Sequence, residues 1–575
     1  MKQFTYTLVD MAEVHSCLRD FLQVCPEKYS ALLVTVFPSG NDREKIRQLA
    51  ADLSEGLPDA TIVGSTNSGG IAGGDLTLEK TVLTFMVFRE AKLQVIAYEG
   101  ETIAAGGAGA KFMEACTGME DLVGIELIAV PRHFDAQSFF DELKDLPKEV
   151  AFFGGNADTF DLTVPSYLFI GDRILESGIL AVCFCGASLH IHVESVFGWK
   201  PLGAAMRITA TEGKTVIREL DGKPAFSVYE KYLQIVPSEH FHEDTLEFPL
   251  LLEREGDSLA RLPDSCREDG ALVLNADCRQ GESVRLAYGD YSEIIYNTQK
   301  LQQSISRYAP EGIMIFTCIS RMTFLQERAQ LELAHYEDIA PHAGIYTHGE
   351  YDRRDGKIRM LNMTLVSACF REGDLPKDLQ PIKLPEIDAM TANISLVQRL
   401  ARFINVTSTE LEAANHQLTS LAQQDRLTRL YNRGEIESIF KAHLGEQHPH
   451  LSAIMLDLDN FKSINDTFGH ETGDKVLISA ARVLSGSIRS GDSAGRWGGE
   501  EFFIVLPKVP HFRALEIAER IRRRLEEQPP LEDGRRVTAS FGVAEVEPGE
   551  DYAEFYKRLD EKLYIAKKNG KNCVV

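Results

Sequence analysis

The stretch Asp457 to Asp474 reads DLDNFKSINDTFGHETGD, and it decides how the C-terminal part of the chain is interpreted. It follows an apolar segment, Leu451 to Leu456, whose composition predicts a buried strand. Asp457 and Asp459 then stand two residues apart, a spacing that directs both to one side of a strand. Carboxylates at such a strand end are costly unless water or a cation compensates them. The pair is therefore interpreted either as a magnesium site or as solvated turn acids.

Residues 497–502 read WGGEEF and place two more acids directly after a Gly-Gly turn. Apolar segments on both sides predict the strands of a hairpin, Ser493–Trp497 and Phe502–Leu506. The two glycines let the backbone approach a ligand closely, and the two acids would complete a metal site opposite Asp457. Such a site suits phosphoryl transfer, in which metal ions activate a hydroxyl and neutralise a leaving pyrophosphate. The alternative is an ordinary hairpin with a polar tip.

The remaining periodicities of this region predict three helices and two further strands. Apolar residues recur at helical spacing over Val476–Ile488 and Ala514–Leu525. A third helical pattern covers Tyr552–Lys568, and strands are predicted over Val537–Val543 and Cys573–Val575. The order of elements contains βαββαβ, which is typical of a ferredoxin-like palm.

Together these motifs resemble the GGDEF family of diguanylate cyclases, over nearly all of residues 425–575. The entry segment, Asp425 to Arg433, reads DRLTRLYNR and fits the family's D-x-L-T-x-L-x-N-R. The stretch Asp457 to Asp474 fits the family pattern at every fixed position, and GGEEF is a form of the signature found in active members. Several motifs in order and at matching spacing are far more specific than any one alone. The resemblance implies an enzyme that condenses two GTP into cyclic di-GMP and two pyrophosphates.

The resemblance also implies which residues act on the reacting groups. Asp457, the Leu458 carbonyl and Glu500 would hold the cations, two Mg²⁺ or Mn²⁺ ions in each active site. Glu500 or Glu501 would help to deprotonate the attacking 3′-hydroxyl, and the sequence leaves open which of them does so. Lys462 would offset the charge of the transition state.

A second group of residues is implied to bind the nucleotide. Asn465 and Asp474 would hydrogen-bond guanine, whose N1–H and N2–H a carboxylate can accept, and His470 is assigned to the same substrate site. Lys567 and Lys571 would contact the triphosphate. The family often has arginine where Lys571 stands, and lysine keeps the charge but loses the two-pronged geometry, so weaker GTP binding is expected there.

A further motif, Arg489-Ser490-Gly491-Asp492, lies just before the signature at the family's usual separation. It fits the R-x-x-D inhibitory site of these cyclases, and Arg520 matches a supporting arginine. Arginine and aspartate suit the edges of guanine and phosphate, so the resemblance implies inhibition by the product. The alternative is that Arg489 and Asp492 only cap a helix end.

A junction marked by Pro376, Pro381 and Pro385 precedes a long helical pattern, and residues 384–424 are interpreted as a linker. Apolar-leaning residues alternate three and four apart, as in a coiled coil. This pattern favours a parallel homodimer, because two catalytic domains of this family must bring their nucleotides together. The alternative is a surface helix packed on its own domain. The heptad positions are Val397, Leu400, Ile404, Thr407, Leu411, Ala414, Leu418 and Leu421.

Residues 1–383 alternate short β-rich runs with helical patterns, and glycines punctuate the joins. This pattern predicts a mixed α/β module with a substantial antiparallel component. The predicted strands are Ala31–Phe37, Thr61–Ser65, Thr81–Phe88 and Gly178–Val193, and the predicted helices are Asp42–Leu53 and Ser138–Leu146.

The module resembles the FIST sensory family, with an N half at about residues 28–215 and a C half at about residues 216–375. In the turn Gly64 to Gly70 the cysteine and the acid usual in the family are absent. The resemblance implies a sensor of a small ligand, here unidentified. The matching segments are Gly198–Gly203, Glu219–Ala225, Phe316–Arg321, Gly344–Glu350 and Asn362–Leu365.

Arg321, Tyr346 and Glu350 are the candidate ligand contacts of this module, because charged groups beside glycine turns orient small polar molecules. The alternative is that Arg321 and Glu350 pair with each other while Tyr346 fills the core. The whole chain is thus expected to be a sensor cyclase with a sensory module, a helical linker and a catalytic palm over residues 425–575.

Composition limits the partners and the compartment. The chain has 575 residues with 61 lysines and arginines against 86 acids, a net charge of −25, which disfavours nucleic acid as a partner. No apolar run reaches the roughly 18 residues of a membrane span, and a cytoplasmic location is expected. Three other functions stay open: a degenerate domain that only binds GTP or cyclic di-GMP, a different cyclase or polymerase on the same palm, and a scaffold for protein partners.

Overall fold

A computed structural model describes residues 1–25, 28–104, 107–130, 136–157, 164–238, 241–254, 256–376, 396–445 and 450–575. The chain divides into two compact units, Met1–Val406 and Thr407–Val575. Both units combine helices and strands, so the predicted α/β class is confirmed. Pro381 and Pro385 of the expected junction lie outside the described residues.

The N-terminal unit is built mainly from strands. They are β1 (Lys2–Leu8), β2 (Ala31–Phe37), β3 (Thr61–Ser65), β4 (Gly70–Ala72), β5 (Asp75–Thr77), β6 (Thr81–Phe88), β7 (Lys92–Glu99), β8 (Leu122–Val130), β9 (Ala151–Asn156), β10 (Leu168–Ile170), β11 (Arg173–Leu175), β12 (Gly178–Cys185), β13 (Leu189–Phe197), β14 (Trp199–Glu212), β15 (Val216–Leu220), β16 (Lys223–Pro224), β17 (Leu250–Arg254), β18 (Asp257–Arg261), β19 (Pro263–Cys266), β20 (Leu272–Leu274), β21 (Ser283–Gly289), β22 (Gly312–Cys318), β23 (His342–Thr347), β24 (Glu350–Arg354), β25 (Lys357–Leu361) and β26 (Thr364–Glu372).

Short helices connect these strands. They are α1 (Val14–Val24), α2 (Arg43–Gly56), α3 (Gly100–Ala104), α4 (Ala108–Thr117), α5 (Ala136–Glu142), α6 (Ser227–Leu233), α7 (Phe241–Leu246), α8 (Tyr291–Ser306), α9 (Ile319–Leu325) and α10 (Ala329–Leu333). Asp42 caps α2 by accepting from the backbone of Glu44 and Lys45, which fixes where that helix begins.

The strands form four sheets. Three have six strands each, in the orders β1-β6-β2-β3-β10-β11, β25-β24-β9-β8-β12-β7 and β13-β26-β22-β23-β4-β5, and the fourth has eight, with β14 and β21 at its centre. The pairs β2–β3, β8–β9 and β22–β23 are parallel. All four sheets contribute to the main core, with Leu33, Leu180, Phe316 and Leu286 as one example from each sheet in the order given.

The structure confirms three predicted strands to the residue and corrects a fourth. The segment Gly178–Val193 is two strands rather than one, because Gly186 turns the chain with a φ of +155°. β12 pairs with β8, whereas β13 pairs with β26 of another sheet. An unbroken apolar run cannot reveal that the chain changes sheet.

A buried carboxyl lies in the middle of β8. Glu126 is 1% exposed between Val182 and Phe153 of the neighbouring strands. Among the described residues, neither of its carboxyl oxygens has a hydrogen-bond partner. Burial raises the pKa of Glu126 from its usual 4.5 to about 8.

This carboxyl predicts a pH-dependent stability. Between about pH 4.5 and pH 8 the folded state keeps a proton at Glu126 that the unfolded state releases, so stability falls as pH rises, by at most about 1.4 kcal/mol per pH unit. Glu126→Gln is expected to flatten this slope and raise Tm at pH 8. Thermal melts from pH 5 to pH 8.5 measure it. Glu55→Gln, an exposed position on α2, is the control, and an unchanged slope in Glu126→Gln would contradict the prediction.

The predicted linker forms one long helix, α11 (Leu396–Gln423). Its start is packed on its own module: Ala401 is 3% exposed, and the Asn405 side chain accepts from the Gly203 N–H and donates to the Pro201 carbonyl at 2.8 and 3.1 Å. The heptad residues Leu400, Ile404 and Leu411 are nevertheless 52%, 41% and 63% exposed. The side chains of Val397, Leu418 and Leu421 lie outside the described part of the structure.

The C-terminal unit is a four-stranded antiparallel sheet in the order β28-β29-β27-β30 with helices on both faces. Two helices stand where one was predicted between the first two strands, and residues 573–575 join the sheet by a single bridge, Phe541 to Val574, rather than as a strand. The elements are α12 (Arg433–Leu444), β27 (Leu451–Leu458), α13 (Phe461–Phe468), α14 (His470–Ser485), β28 (Ser493–Gly498), β29 (Glu501–Pro507), α15 (His511–Glu526), β30 (Ala539–Glu545) and α16 (Tyr552–Lys568).

Alternation along the central strand β27 divides this unit into two cores. Ile454 and Leu456 face the core beneath α13, α14 and α15. Ala453 and Met455 face the opposite core, beneath α12 and α16. Both faces of β27 are therefore covered. The acidic residues that follow Leu456 lie at the C-terminal end of this central strand.

Candidate active site

The two acidic motifs meet where β27 ends. The register of β27 with β29 places Asp457 directly opposite Glu501. The main chain joins the same two segments again, because the Leu458 N–H donates to the Glu500 carbonyl at 3.2 Å. Antiparallel pairing thus brings together acids that are far apart in the sequence.

These carboxyl groups carry unfavourable like charges. Burial raises the pKa of Asp457 above its usual value, while the Lys567 ammonium at 2.7 Å opposes this. Burial also raises the pKa of Glu501, and the charge of Asp457 adds to that effect. Half-buried carboxyl groups that repel one another favour a bound cation.

The donor set suits a hard cation, since Asp457, Glu500 and the Leu458 carbonyl all offer oxygen ligands. Among the described residues, no three acidic, histidine or cysteine side chains form a group that could hold an ion by themselves. Mg²⁺ in proteins is usually held by one or two carboxylates together with waters and substrate phosphates.

Asp459 has different partners from Asp457. It lies just beyond β27, is 5% exposed, and accepts hydrogen bonds from the Thr538 and Ser540 hydroxyls at 2.8 and 2.7 Å. The Asn572 backbone N–H donates to it as well, at 3.0 Å. Spacing in the sequence could not distinguish this carboxylate from its neighbour.

The residues expected to recognise guanine lie on α13 and α14. Asn465 is half-buried and Asp474 is exposed, and the Asn465 Oδ1 atom is buried with no hydrogen-bond partner among the described residues. Gly473 lies against it: a Cβ there would stand 1.8 Å from Asn465 Oδ1. Sequence reasoning gave Gly473 no role, although the family pattern fixes a glycine at that position.

The other predicted residues of this site are exposed or half-buried. Lys462 and His470 are exposed. Lys571 donates from its ammonium to Asn460 Oδ1 at 2.6 Å. The structure therefore brings Lys567 to Asp457 directly and holds Lys571 beside the same strand end.

Aromatic packing holds the signature turn, a feature that sequence reasoning missed. Trp497 occupies a bulge of β28 and stacks on Phe503 and Tyr556 with ring centroids 5.1 and 5.3 Å apart. Its indole N–H donates to the Tyr556 hydroxyl at 3.0 Å, and the Arg433 guanidinium lies 4.7 Å from the ring centroid. Bulges often re-aim side chains beside functional sites.

The entry motif is bonded to the same turn. Asp425 accepts from Thr428 at 2.7 Å and from the Arg496 guanidinium at 3.3 Å. Arg496 in turn donates to the Gly499 carbonyl at 2.7 Å. The acid and the threonine that stand three residues apart in the entry motif thus bond to each other, and the acid joins them to the turn.

The R-x-x-D residues lie between α14 and β28. Arg489 is 61% exposed at its side chain, whereas that of Asp492 is 2% exposed, and the two are 3.1 Å apart. Arg520 of α15 donates to the Ser487 carbonyl at 2.8 Å, which places it beside the same loop. The three predicted residues thus lie around one loop, with the Asp492 side chain buried.

The three candidate ligand contacts of the N-terminal unit are all fully buried. Arg321 pairs with Glu332, so the expected alternative pairing with Glu350 is wrong. Glu350 instead accepts from the Thr347 hydroxyl at 2.8 Å and from the Thr364 N–H at 3.2 Å. Burial raises the pKa of Glu350 to about 8. Long-range packing, invisible in the sequence, chose Glu332.

Two buried polar atoms beside Arg321 have no hydrogen-bond partner within the described ranges. They are the Tyr346 hydroxyl and Glu332 Oε2. Trp199 also borders this group, with the Arg321 guanidinium 5.9 Å from its ring centroid.

Three family profiles match the chain. The profile of the diguanylate cyclase, GGDEF domain matches residues 422–573. The FIST N domain matches residues 32–223, and the FIST C domain matches residues 225–353. Both expected resemblances are thereby confirmed.

Curated relatives match the C-terminal part. A diguanylate cyclase of Vibrio cholerae is 39% identical over 211 residues, which cover 36% of this chain and 64% of the relative. Diguanylate cyclase DgcM of Escherichia coli is 40% identical over 171 residues, 29% of this chain and 41% of the relative. The chain thus spans less than two thirds of the length of either relative.

Solved structures match the same part. The GGDEF domain of DgcB from Caulobacter crescentus, in complex with c-di-GMP, is 31% identical and covers 27% of this chain and 92% of its own, with a TM-score of 0.26. The active GGEEF domain of a Vibrio cholerae diguanylate cyclase is 39% identical. The match covers 25% of this chain and 97% of that domain, with a TM-score of 0.24.

No helix among the described residues is both long enough and apolar enough to cross a membrane. The family profiles assign domains to both parts of the chain, and the curated relatives match the C-terminal part. Its N-terminal part matches a FIST N domain and a FIST C domain, and its C-terminal part matches the diguanylate cyclase, GGDEF domain.

Proposed function

We propose that this protein is a diguanylate cyclase that condenses two GTP into cyclic di-GMP and two pyrophosphates. The observation that carries the proposal is the register of β27 and β29, which sets Asp457 opposite Glu501 with Lys567 bonded to Asp457. The GGDEF profile match and the curated relatives support it.

The acidic residues have two proposed roles, cation binding and proton transfer. Asp457, the Leu458 carbonyl and Glu500 would hold two Mg²⁺ or Mn²⁺ ions, which would supply charge neutralisation at the phosphates. Glu500 or Glu501 accepts the proton of the attacking 3′-hydroxyl. Burial and the charge of Asp457 raise the pKa of Glu501, as a general base requires.

The remaining residues bind and orient the nucleotide. Asn465 and Asp474 hydrogen-bond the guanine edge, and His470 lies in the same substrate site. Lys567 and Lys571 contact the triphosphate, and Lys462 offsets the charge that develops during the reaction. Lys567 now neutralises Asp457 at 2.7 Å, so nucleotide binding is expected to draw this ammonium toward the phosphates.

A single assay tests the activity. The full chain is incubated with GTP and Mg²⁺ and, in parallel, with ATP, and the products are identified by mass spectrometry. We expect cyclic di-GMP in the incubation with GTP and no product in the incubation with ATP. Binding of GTP without product would favour a binding-only domain, and a product from ATP would overturn the guanine assignment.

We also propose that the active form is a homodimer joined through α11. Leu400, Ile404 and Leu411 expose apolar side chains along one heptad seam, and the reaction needs two nucleotides from two domains. Activity per chain should therefore rise with protein concentration. A rate per chain that is independent of concentration in a monomer, shown by sedimentation, would contradict this.

Product inhibition is proposed at Arg489, Asp492 and Arg520. The exposed Arg489 guanidinium and the shared loop support it. Arg489→Ala is expected to weaken inhibition by cyclic di-GMP at least about tenfold, because a charge-assisted contact is lost. Initial rates with added product measure this. Arg513→Ala is the control, because Arg513 is an exposed arginine on α15, the helix that carries Arg520. Equal inhibition of both variants by cyclic di-GMP would refute the site.

The N-terminal part is proposed to bind a small ligand through Arg321, Tyr346 and Glu350, and thereby to regulate the cyclase. The unpartnered Tyr346 hydroxyl and Glu332 Oε2 support a polar ligand there. Because the three contacts are fully buried, ligand entry requires the module to open. Deleting residues 1–383 should change the basal rate of cyclic di-GMP formation. If the truncated chain and the full chain had the same rate with every ligand tried, regulation by the N-terminal part would be refuted.

A further inference from the structure

Asp459 is a buried carboxylate that the proposed chemistry does not use. It is 5% exposed and stands two residues from Asp457, yet its three hydrogen-bond partners are the Thr538 and Ser540 hydroxyls and the Asn572 backbone N–H. Its own N–H also donates to the Thr538 carbonyl at 2.8 Å. One side chain therefore ties together the end of β27, the segment before β30 and the C-terminal turn.

The C-terminal turn has a backbone that needs such support. Lys571 and Asn572 both lie in the left-handed region, with φ of +66° and +46°, a conformation that residues other than glycine rarely adopt. Such backbone persists only where its surroundings fix it. The bond from Asp459 to the Asn572 N–H lies at the centre of this turn.

Further bonds hold the Asn572 side chain in place. Its Oδ1 accepts from Arg522 at 2.8 Å, and its Nδ2 donates to Glu526 at 3.1 Å. The lysine that precedes it then reaches back to Asn460, the residue next to Asp459, at 2.6 Å. The position of the Lys571 ammonium at the site thus depends on the turn that Asp459 holds.

We propose that Asp459 is a positioning residue that aims Lys571 at the phosphates of the bound nucleotide. The inference rests on the proposed function, because it takes GTP as the ligand. Asp459 acts through hydrogen bonds to the turn and does not act by its charge or as a cation ligand.

Two variants separate these roles. Asp459→Ala removes every bond to the turn. Asp459→Asn can keep them, because its amide oxygen accepts from Thr538 and Asn572 while its NH₂ donates to the Ser540 hydroxyl, which can accept. A positioning role therefore predicts that asparagine rescues what alanine loses, whereas a charge or metal role predicts that both variants fail.

The test measures binding by calorimetry on the full chain with Mg²⁺, using an α,β-methylene analogue of GTP and, separately, GMP. In Asp459→Ala the Kd for the GTP analogue is expected to rise about tenfold, while that for GMP changes less than about twofold. Asp459→Asn should stay within about threefold for both. Asp459→Ala combined with Lys571→Ala should bind no more weakly than Lys571→Ala alone.

A second variant covers the case in which Asp459→Ala fails to fold. Asn572→Pro removes the N–H from which Asp459 accepts and forbids a positive φ, and it also removes the side-chain bonds to Arg522 and Glu526. It should weaken the GTP analogue but not GMP. Asp551→Asn is the matched control for Asp459→Asn, since asparagine caps α16 as well as aspartate does.

Several results would overturn the proposal. They are equal losses for GMP and the GTP analogue, unchanged affinity in both Asp459→Ala and Asn572→Pro, or failure of Asp459→Asn together with Asp459→Ala. A wild-type chain that binds no GTP analogue would overturn the proposed function as well, so the two failures are distinguishable.

Discussion

Replacing Glu500 and Glu501 together by glutamine is expected to lower the rate of cyclic di-GMP formation by at least about a thousandfold. The change removes a proposed cation ligand and the proposed general base but keeps the shape of the signature turn. Stability should not fall, because burial and the charge of Asp457 already raise the pKa of Glu501. Product by mass spectrometry and Tm by calorimetry are the measurements.

The control is a double glutamine variant at two exposed glutamates of the same domain, Glu516 and Glu527 at α15. Exposed charges contribute little to stability, so the rate and Tm should match the wild type. If the control lost as much activity as Glu500→Gln/Glu501→Gln, or if that variant kept a tenth of the rate, the assigned roles would be refuted.

The second large effect is expected from Gly473→Ala. The new Cβ would stand 1.8 Å from Asn465 Oδ1 and 2.9 Å from its Cγ, so the Asn465 side chain must move. A misplacement of about 1 Å in a positioning group can cost about a hundredfold in kcat/KM. Initial rates over a range of GTP concentrations measure the loss, and Kd for GTP should rise with it.

Gly434→Ala provides a matched control, since both glycines lie within helices. At Gly434 the nearest atom to a new Cβ is Asn432 Oδ1 at 3.5 Å, which is ordinary contact. Alanine should stabilise α12 by up to about 1 kcal/mol without affecting kcat/KM. Wild-type kinetics in Gly473→Ala would show that Asn465 does not recognise the nucleotide.

The sequence by itself determined the α/β palm of residues 425–575 and the resemblance of the two parts of the chain to the GGDEF and FIST domains. The stretch Asp457 to Asp474 and the WGGEEF turn can be identified from residue types at fixed local spacing, and this spacing does not depend on distant packing. The strands β2, β3 and β6 were also predictable to the residue, because short apolar runs bounded by turn residues form strands wherever they are placed.

The tertiary structure alone decided which polar groups meet. It paired Arg321 with Glu332 rather than Glu350, and it turned Asp459 toward Asn572 while Asp457 met Lys567. It also placed Gly473 directly against Asn465 Oδ1. These choices depend on residues brought together from distant parts of the chain, and a linear pattern carries no information on which of several buried partners will be nearest.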